Sequence, residues 1–226
     1  MFYYDPTYIL VLPAIIFAFY AQTKVNSTFS KYSKVYNRNN LTGAQVAEKI
    51  LRLYGIYNVQ VERINGNLTD HYDPRSNKIR LSDSVYGSTS VAALGVAAHE
   101  TGHAIQHSTG YAPIKLRNAI LPAANIGSHA AFPLVLIGII FSFDFLISAG
   151  IILFTAVVAF QLVTLPVEFN ASNRAVSIME AQGILIGDEL NGSKKVLRAA
   201  AMTYVASCAV ALSNLLRLLV ISRRDD

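Results

Sequence analysis

The chain has 226 residues, of which 53% are hydrophobic and only 15% charged, with a mean hydropathy of +0.38. Soluble domains carry about 25% charged residues, so this composition excludes disordered, coiled-coil, collagen-like and disulfide-stapled chains and points to an integral membrane protein. The net charge is +5, but no nucleic-acid recognition motif accompanies it, so no nucleic-acid partner is expected and the Lys and Arg residues suit the neighbourhood of anionic lipid.

Four stretches have the low charge and the length of a membrane span, which needs about 20 mostly apolar residues. The first, 6–23, follows Met1-Phe-Tyr-Tyr-Asp5, which has no positive n-region, so a retained anchor is expected rather than a cleaved signal. The next two, 118–143 and 145–167, are parted only by Asp144 and read as a helical hairpin with its tip near Ser142–Asp144. The last, 199–221, is interrupted by Arg217 and carries the lone cysteine, Cys208, whose expected role is packing. His129, in the second run, is expected to hydrogen-bond between spans. Most Lys and Arg fall in 24–117, with a further group in 174–198, so both segments are expected in the cytoplasm. The N-terminus, the hairpin tip and the C-terminal Arg223-Arg224 then face outward.

The polar segment 24–117 reads as a small α+β unit. Thr42-x-x-Gln45 is a capping-box signature opening a helix to Tyr54, with Gly55 as its stop. Residues 56–64 alternate like a strand, and Asn65-Gly66 marks a turn. Asp73-Pro74 marks another turn, and Lys78–Ser82 is a short strand. A helix then runs from about Ser90 to Thr109, stopped by Gly110. The segment 168–198 reads as a second cytoplasmic, helical piece.

The chemistry lies in the helix before Gly110. His99-Glu100-x-x-His103 is the zinc-hydrolase helix motif. Residues i and i+4 stack on one helix face, so two imidazoles can reach one ion, while Glu100 points to a neighbouring position where it can hold a water molecule. A catalytic zinc needs a third protein ligand and an open position. Thr109 stands where a third His of the longer motif would be, so that class is excluded. Between Glu100 and Glu168 the only acidic residue is Asp144, at the hairpin tip. Glu168 is therefore the first glutamate available, and the two intervening spans return the chain to the same face. On spacing alone Glu168 also reads as a first-turn helix charge, because Pro166 suits the start of a helix.

His99-Glu-x-Gly-His-Ala-x-Gln-His107, together with Pro166-Val-Glu-Phe-Asn-Ala-Ser172, resembles the YugP-like neutral zinc metallopeptidases. These are small prokaryotic integral membrane proteins, distantly similar to the HtpX-type membrane proteases. Leu41-Thr-Gly-Ala-x-Val-Ala47 and Leu68–Arg75 also fit, and the similarity covers nearly the whole chain. The resemblance implies one catalytic Zn2+ held by His99, His103 and Glu168, with Glu100 catalytic. It departs from the HtpX-type pattern at Ser172, where that wider group has an aspartate supporting a ligand histidine.

The expected architecture is thus an integral membrane α-helical protein with about four transmembrane helices and a small zincin-like α+β unit carrying the motif helix. The resemblance implies hydrolysis of protein or peptide substrates, by a gluzincin-type zinc endopeptidase in a prokaryotic cell membrane. His107, Ser172 and Arg174 are candidates for supporting a ligand or holding an oxyanion. His71, Asp73, Ile79 and Leu81 are substrate-cleft candidates, with Lys78–Ser82 expected as a sheet edge that pairs with an extended peptide. Two rivals remain: a non-catalytic scaffold clamped by zinc, and a zinc hydrolase of a non-peptide substrate. The intact Glu100 argues against the first, since a structural site needs no general base.

Overall fold

A computed structural model describes residues 6–222. The chain is mostly helical, with one small sheet. A 3-10 turn, Pro6–Leu10, leads into α1 (Leu12–Tyr32) and α2 (Gly43–Leu53). Three strands follow, β1 (Gln60–Ile64), β2 (His71–Asp73) and β3 (Lys78–Ser82), then the short α3 (Asp83–Tyr86) and α4 (Val91–Ser108). Three long helices complete the chain: α5 (Ala112–Phe141), α6 (Asp144–Ala181) and α7 (Gly187–Ser222). The terminal segments 1–5 and 223–226, expected on the outer side, lie outside the described residues.

Two compact units share these elements. One takes in the chain up to Gln22, Ala112–Pro166 and the chain from Met202 onward; the other takes in Thr23–Tyr111 and Val167–Ala201. In the first unit, α5, the front of α6 and the back of α7 pack around Ala131, Val135, Phe154, Val158, Ala211 and Leu218. Small residues let backbones approach: a Cβ at Gly150 would meet the Ala131 carbonyl oxygen at 2.8 Å, and Gly127 lies directly against the Leu153 carbonyl. Large apolar side chains such as Ile140, Phe145 and Ile152 stay exposed. His129 does not bridge spans: it is exposed, and its Nδ1 lies 2.8 Å from the Asn125 carbonyl one turn back on its own helix. Arg217, the one charge inside the last apolar run, donates from Nε to Thr7 Oγ1 at 3.1 Å and stacks 3.8 Å over the Tyr8 ring.

Among the described residues, three helices are long and apolar enough to cross a membrane: α5, α6 and α7. The expected first span forms the 3-10 turn and only the front of α1. From Lys24 onward α1 carries Asn26, Ser27, Thr28 and Lys31, which dilute its apolar run.

The second unit has an ordinary interior. Val46, Ile50 and Leu51 on α2, Ile79 and Leu81 on β3, Leu94 and Ile105 on α4, Met179 on α6 and Leu197 on α7 share one core. Thr42 caps α2 reciprocally with Gln45, and Gly55 follows it at φ +67°. Only the latter half of the alternating run, Gln60–Ile64, pairs as a strand. Because β1 runs parallel to β3, Asn65-Gly66 opens a crossover rather than a two-residue hairpin. β2, which the sequence conceals in a polar turn, pairs antiparallel with β3. The order is β1-β3-β2, so β3 is the central strand. This corrects the expectation of an edge at Lys78–Ser82: both sides of β3 are hydrogen-bonded, and Ile79 and Leu81 are fully buried in the core, out of reach of any substrate.

α4 is buried on most of its circumference from Val91 to Gln106, as a helix without a polar face must be. Ser90 caps it by accepting from Ala93 N at 3.2 Å, and Gly110 follows it at φ +65°. Pro166 does not start a helix; α6 runs through it unbroken to Ala181, so Glu168 lies deep inside α6 rather than in a first turn.

Candidate metal centre

Every residue of the candidate site belongs to the second unit. α4 places His99 and His103 one turn apart, with rings edge-to-face at 4.7 Å. α6 brings the Glu168 carboxylate between them: its Oε2 lies 3.2 Å from His99 Nε2 and 3.5 Å from His103 Nε2. One ligand atom from each of the three lies within 4.8 Å of the others. The approach depends on Gly102, where a Cβ would meet the Ala171 carbonyl oxygen at 2.8 Å. Any side chain there would push α6, and Glu168 with it, away from the imidazoles.

Two imidazoles and a carboxylate are borderline ligands suited to zinc. The local field also favours a cation. Burial works against a proton on His103, yet the Glu168 carboxylate beside it, with the charge of Glu100, holds that imidazole above its ordinary range. The residues therefore fit a zinc ion on donor chemistry and on field alike. Glu100 is buried on α4 beside the cluster but is not part of it, and it has no hydrogen-bond partner among the described residues. Its carboxylate keeps its acceptor capacity for another molecule.

Each imidazole is also held from behind. Ser172 Oγ lies 3.1 Å from His99 Nδ1. Gln106 Oε1 lies 3.0 Å from His103 Nδ1. The Gln106 amide in turn donates to the Val167 carbonyl at 2.8 Å and to Asn170 Oδ1 at 3.0 Å. Arg174 Nε donates to the same Asn170 oxygen at 2.8 Å, with its guanidinium 6.0 Å from the Tyr111 ring. Gln106, Asn170 and Gly102 stand within the motif stretches but are not among the expected site residues. The available signal was a glutamine three residues after His103, within reach of it on a helix.

The other expected residues lie outside the three-residue cluster. His107 is exposed and meets the Tyr72 ring edge-on at 6.0 Å, so it flanks β2 rather than closing the site. His71 is exposed, with Nδ1 2.9 Å from the Thr69 carbonyl. Asp73 is engaged in its own turn, accepting from Ser76 Oγ at 2.7 Å, Arg75 N at 2.9 Å and Arg80 Nη1 at 3.0 Å. The Ser76 and Arg75 hydrogen bonds, with Arg80, hold its carboxyl well below the usual range. Asp70 sits deeper, accepting from Ser82 N at 2.7 Å and Ser82 Oγ at 2.9 Å. Burial pushes its carboxyl up, and the Glu100 charge adds to this.

The family described as "putative neutral zinc metallopeptidase" matches residues 7–223. Among curated proteins the chain is 49% identical to the "Putative membrane protease YugP" of Bacillus subtilis (strain 168), over 96% of this chain and 97% of the relative. No solved structure matches the chain significantly.

Proposed function

The chain belongs to the neutral zinc metallopeptidase family, and from that premise we propose that it is a membrane-bound, gluzincin-type zinc endopeptidase. The single observation that carries the reading is the convergence of His99, His103 and Glu168 from two helices, with the unengaged Glu100 beside them. His99, His103 and Glu168 would hold the ion. Zinc bound there supplies Lewis acidity, which polarises a scissile carbonyl and makes water nucleophilic near neutral pH. The Glu100 carboxylate accepts a proton from the attacking water and delivers it to the leaving amine nitrogen. β2 (His71–Asp73) is the free sheet edge beside α4, so it replaces β3 as the strand against which an extended peptide pairs.

The remaining assignments follow from charge and hydropathy. α5, α6 and α7 cross the bilayer, and residues 6–23 form a fourth bilayer-buried segment, as the exposed Ile9, Ile16 and Phe19 support. The Lys- and Arg-rich segments 24–117 and 168–198 face the cytoplasm. A maleimide that cannot cross membranes should leave the exposed Lys34→Cys unlabelled in intact cells; labelling there overturns this orientation.

The activity is tested with detergent-purified protein and unfolded casein. Cleavage should stop on chelation and resume on adding zinc, and Glu168→Gln should lose stoichiometric zinc. Chelator-resistant cleavage, or full zinc retention by Glu168→Gln, contradicts the reading.

A further inference from the structure

We infer that Arg174, Asn170 and Gln106 form a relay that fixes which nitrogen of His103 carries hydrogen, leaving Nε2 bare toward Glu168. The consequence for metal binding rests on the metallopeptidase reading above; the tautomer itself does not. An amide's oxygen and nitrogen have the same shape, as do the two tautomers of an imidazole ring. Here hydrogen-bond polarity decides both, because the chain of contacts ends in a group that can only donate.

That group is the Arg174 guanidinium, which has no acceptor. Its Nε lies 2.8 Å from the Asn170 side chain, so the Asn170 atom facing it is the oxygen. The same oxygen faces Gln106 at 3.0 Å, so Gln106 presents its nitrogen there. The second hydrogen of that nitrogen goes to the Val167 carbonyl at 2.8 Å, itself an acceptor only. Gln106 Oε1 is then left 3.0 Å from His103 Nδ1, and an amide oxygen there requires a hydrogen on Nδ1. Neutral imidazole carries one ring N–H, so Nε2 holds the lone pair. Glu168 does not reverse this, since its Oε2 lies 3.5 Å from His103 Nε2, beyond the usual N–H···O range of about 2.7–3.2 Å.

His99 lacks such a relay. Its Nε2 lies 3.2 Å from the acceptor-only Glu168 carboxylate, so without a metal its hydrogen sits on Nε2 and the Ser172 hydroxyl, which donates or accepts by rotating, donates to Nδ1. One ligand is thus preset for a metal, whereas the other would have to move its hydrogen to Nδ1, a change the rotating Ser172 hydroxyl permits. In this role Arg174 is a positioning residue acting through two amides, not a donor to an oxyanion.

The test reads the His103 tautomer in metal-free protein by two-bond nitrogen–proton NMR correlations. The pH is kept high enough for neutral rings, and the signal is assigned with His103→Gln. Wild type should show Nδ1–H. Arg174→Met lets both amides turn over, so Nε2–H should appear and zinc affinity by chelator competition should fall about 10-fold with KM unchanged. Gln106→Met should do the same more strongly. Adding Asn170→Asp to Arg174→Met supplies an acceptor-only oxygen and should restore Nδ1–H, a rescue that a purely structural role does not produce. Nε2–H in wild type, an unchanged tautomer in both Arg174→Met and Gln106→Met, or no rescue overturns the relay. Lower kcat in Arg174→Met with tautomer and zinc affinity intact makes Arg174 a direct donor instead. A wild type that shows Nδ1–H but takes up no zinc sinks the metallopeptidase reading and leaves the tautomer result standing.

Discussion

The two compact units use the same apolar side chains in opposite ways. The unit that carries the candidate centre hides Ile79, Leu81, Leu94, Ile105 and Met179 completely. The other buries a small cluster around Ala131 and Phe154 and leaves Ile140, Phe145 and Ile152 on its surface. The first pattern is that of a domain sorted by water. The second is that of helices in hydrocarbon, where lipid is as apolar as leucine and backbones are drawn together by packing at small residues such as Gly127 and Gly150. The site belongs to the water-sorted unit, where a rigid interior can hold ligand groups in place.

The contrast is sharpest under truncation. Leu94→Ala should cost about 2–5 kcal/mol and lower the midpoint of thermal unfolding, because Leu94 is wholly enclosed. A wild-type melt for this variant breaks the comparison. Gly102→Ala comes next, at about 1–3 kcal/mol, since the atom it meets is the Ala171 backbone oxygen rather than a flexible side-chain tip. It should also weaken zinc binding by separating Glu168 from the imidazoles; undiminished zinc affinity shows that the helices adjust without consequence. Ser172→Asp offers His99 a carboxylate in place of a hydroxyl and should tighten zinc by up to about 10-fold or raise turnover. No change in either measure removes the supporting role of position 172. Phe145→Ala should change stability by less than about 0.5 kcal/mol in a lipid nanodisc, because Phe145 is 81% exposed. A loss as large as that of Leu94→Ala would mean that its ring packs against protein rather than lipid.

Features governed by adjacent residues were legible in the sequence. Thr42 with Gln45, Ser90 and Gly110 mark helix ends that the structure places within a residue or so of the expected positions. The pairing of His99 with His103 needs only helical spacing. Placing Glu168 beside them took the family resemblance as well as elimination, because on spacing alone Glu168 also reads as a first-turn helix charge. What stayed hidden depends on partners far along the chain. β2 has three residues and no apolar alternation of its own, so only its pairing with β3 defines it. The central position of β3 follows from a parallel crossover that no local turn encodes. Pro166 looked like a helix start because proline breaks helices in water, whereas long apolar helices accommodate it. Gln106 takes on its full role only when Val167 and Asn170 are brought to it.

The central claim is that the convergence of His99, His103 and Glu168 beside Glu100 is a hydrolytic centre. It is tested most directly by comparing wild type with Glu100→Gln for zinc content and casein cleavage in the same preparation. Stoichiometric zinc is expected in both, with cleavage by wild type alone. Equal cleavage by the two proteins, or zinc in both with cleavage by neither across a panel of unfolded proteins, contradicts it.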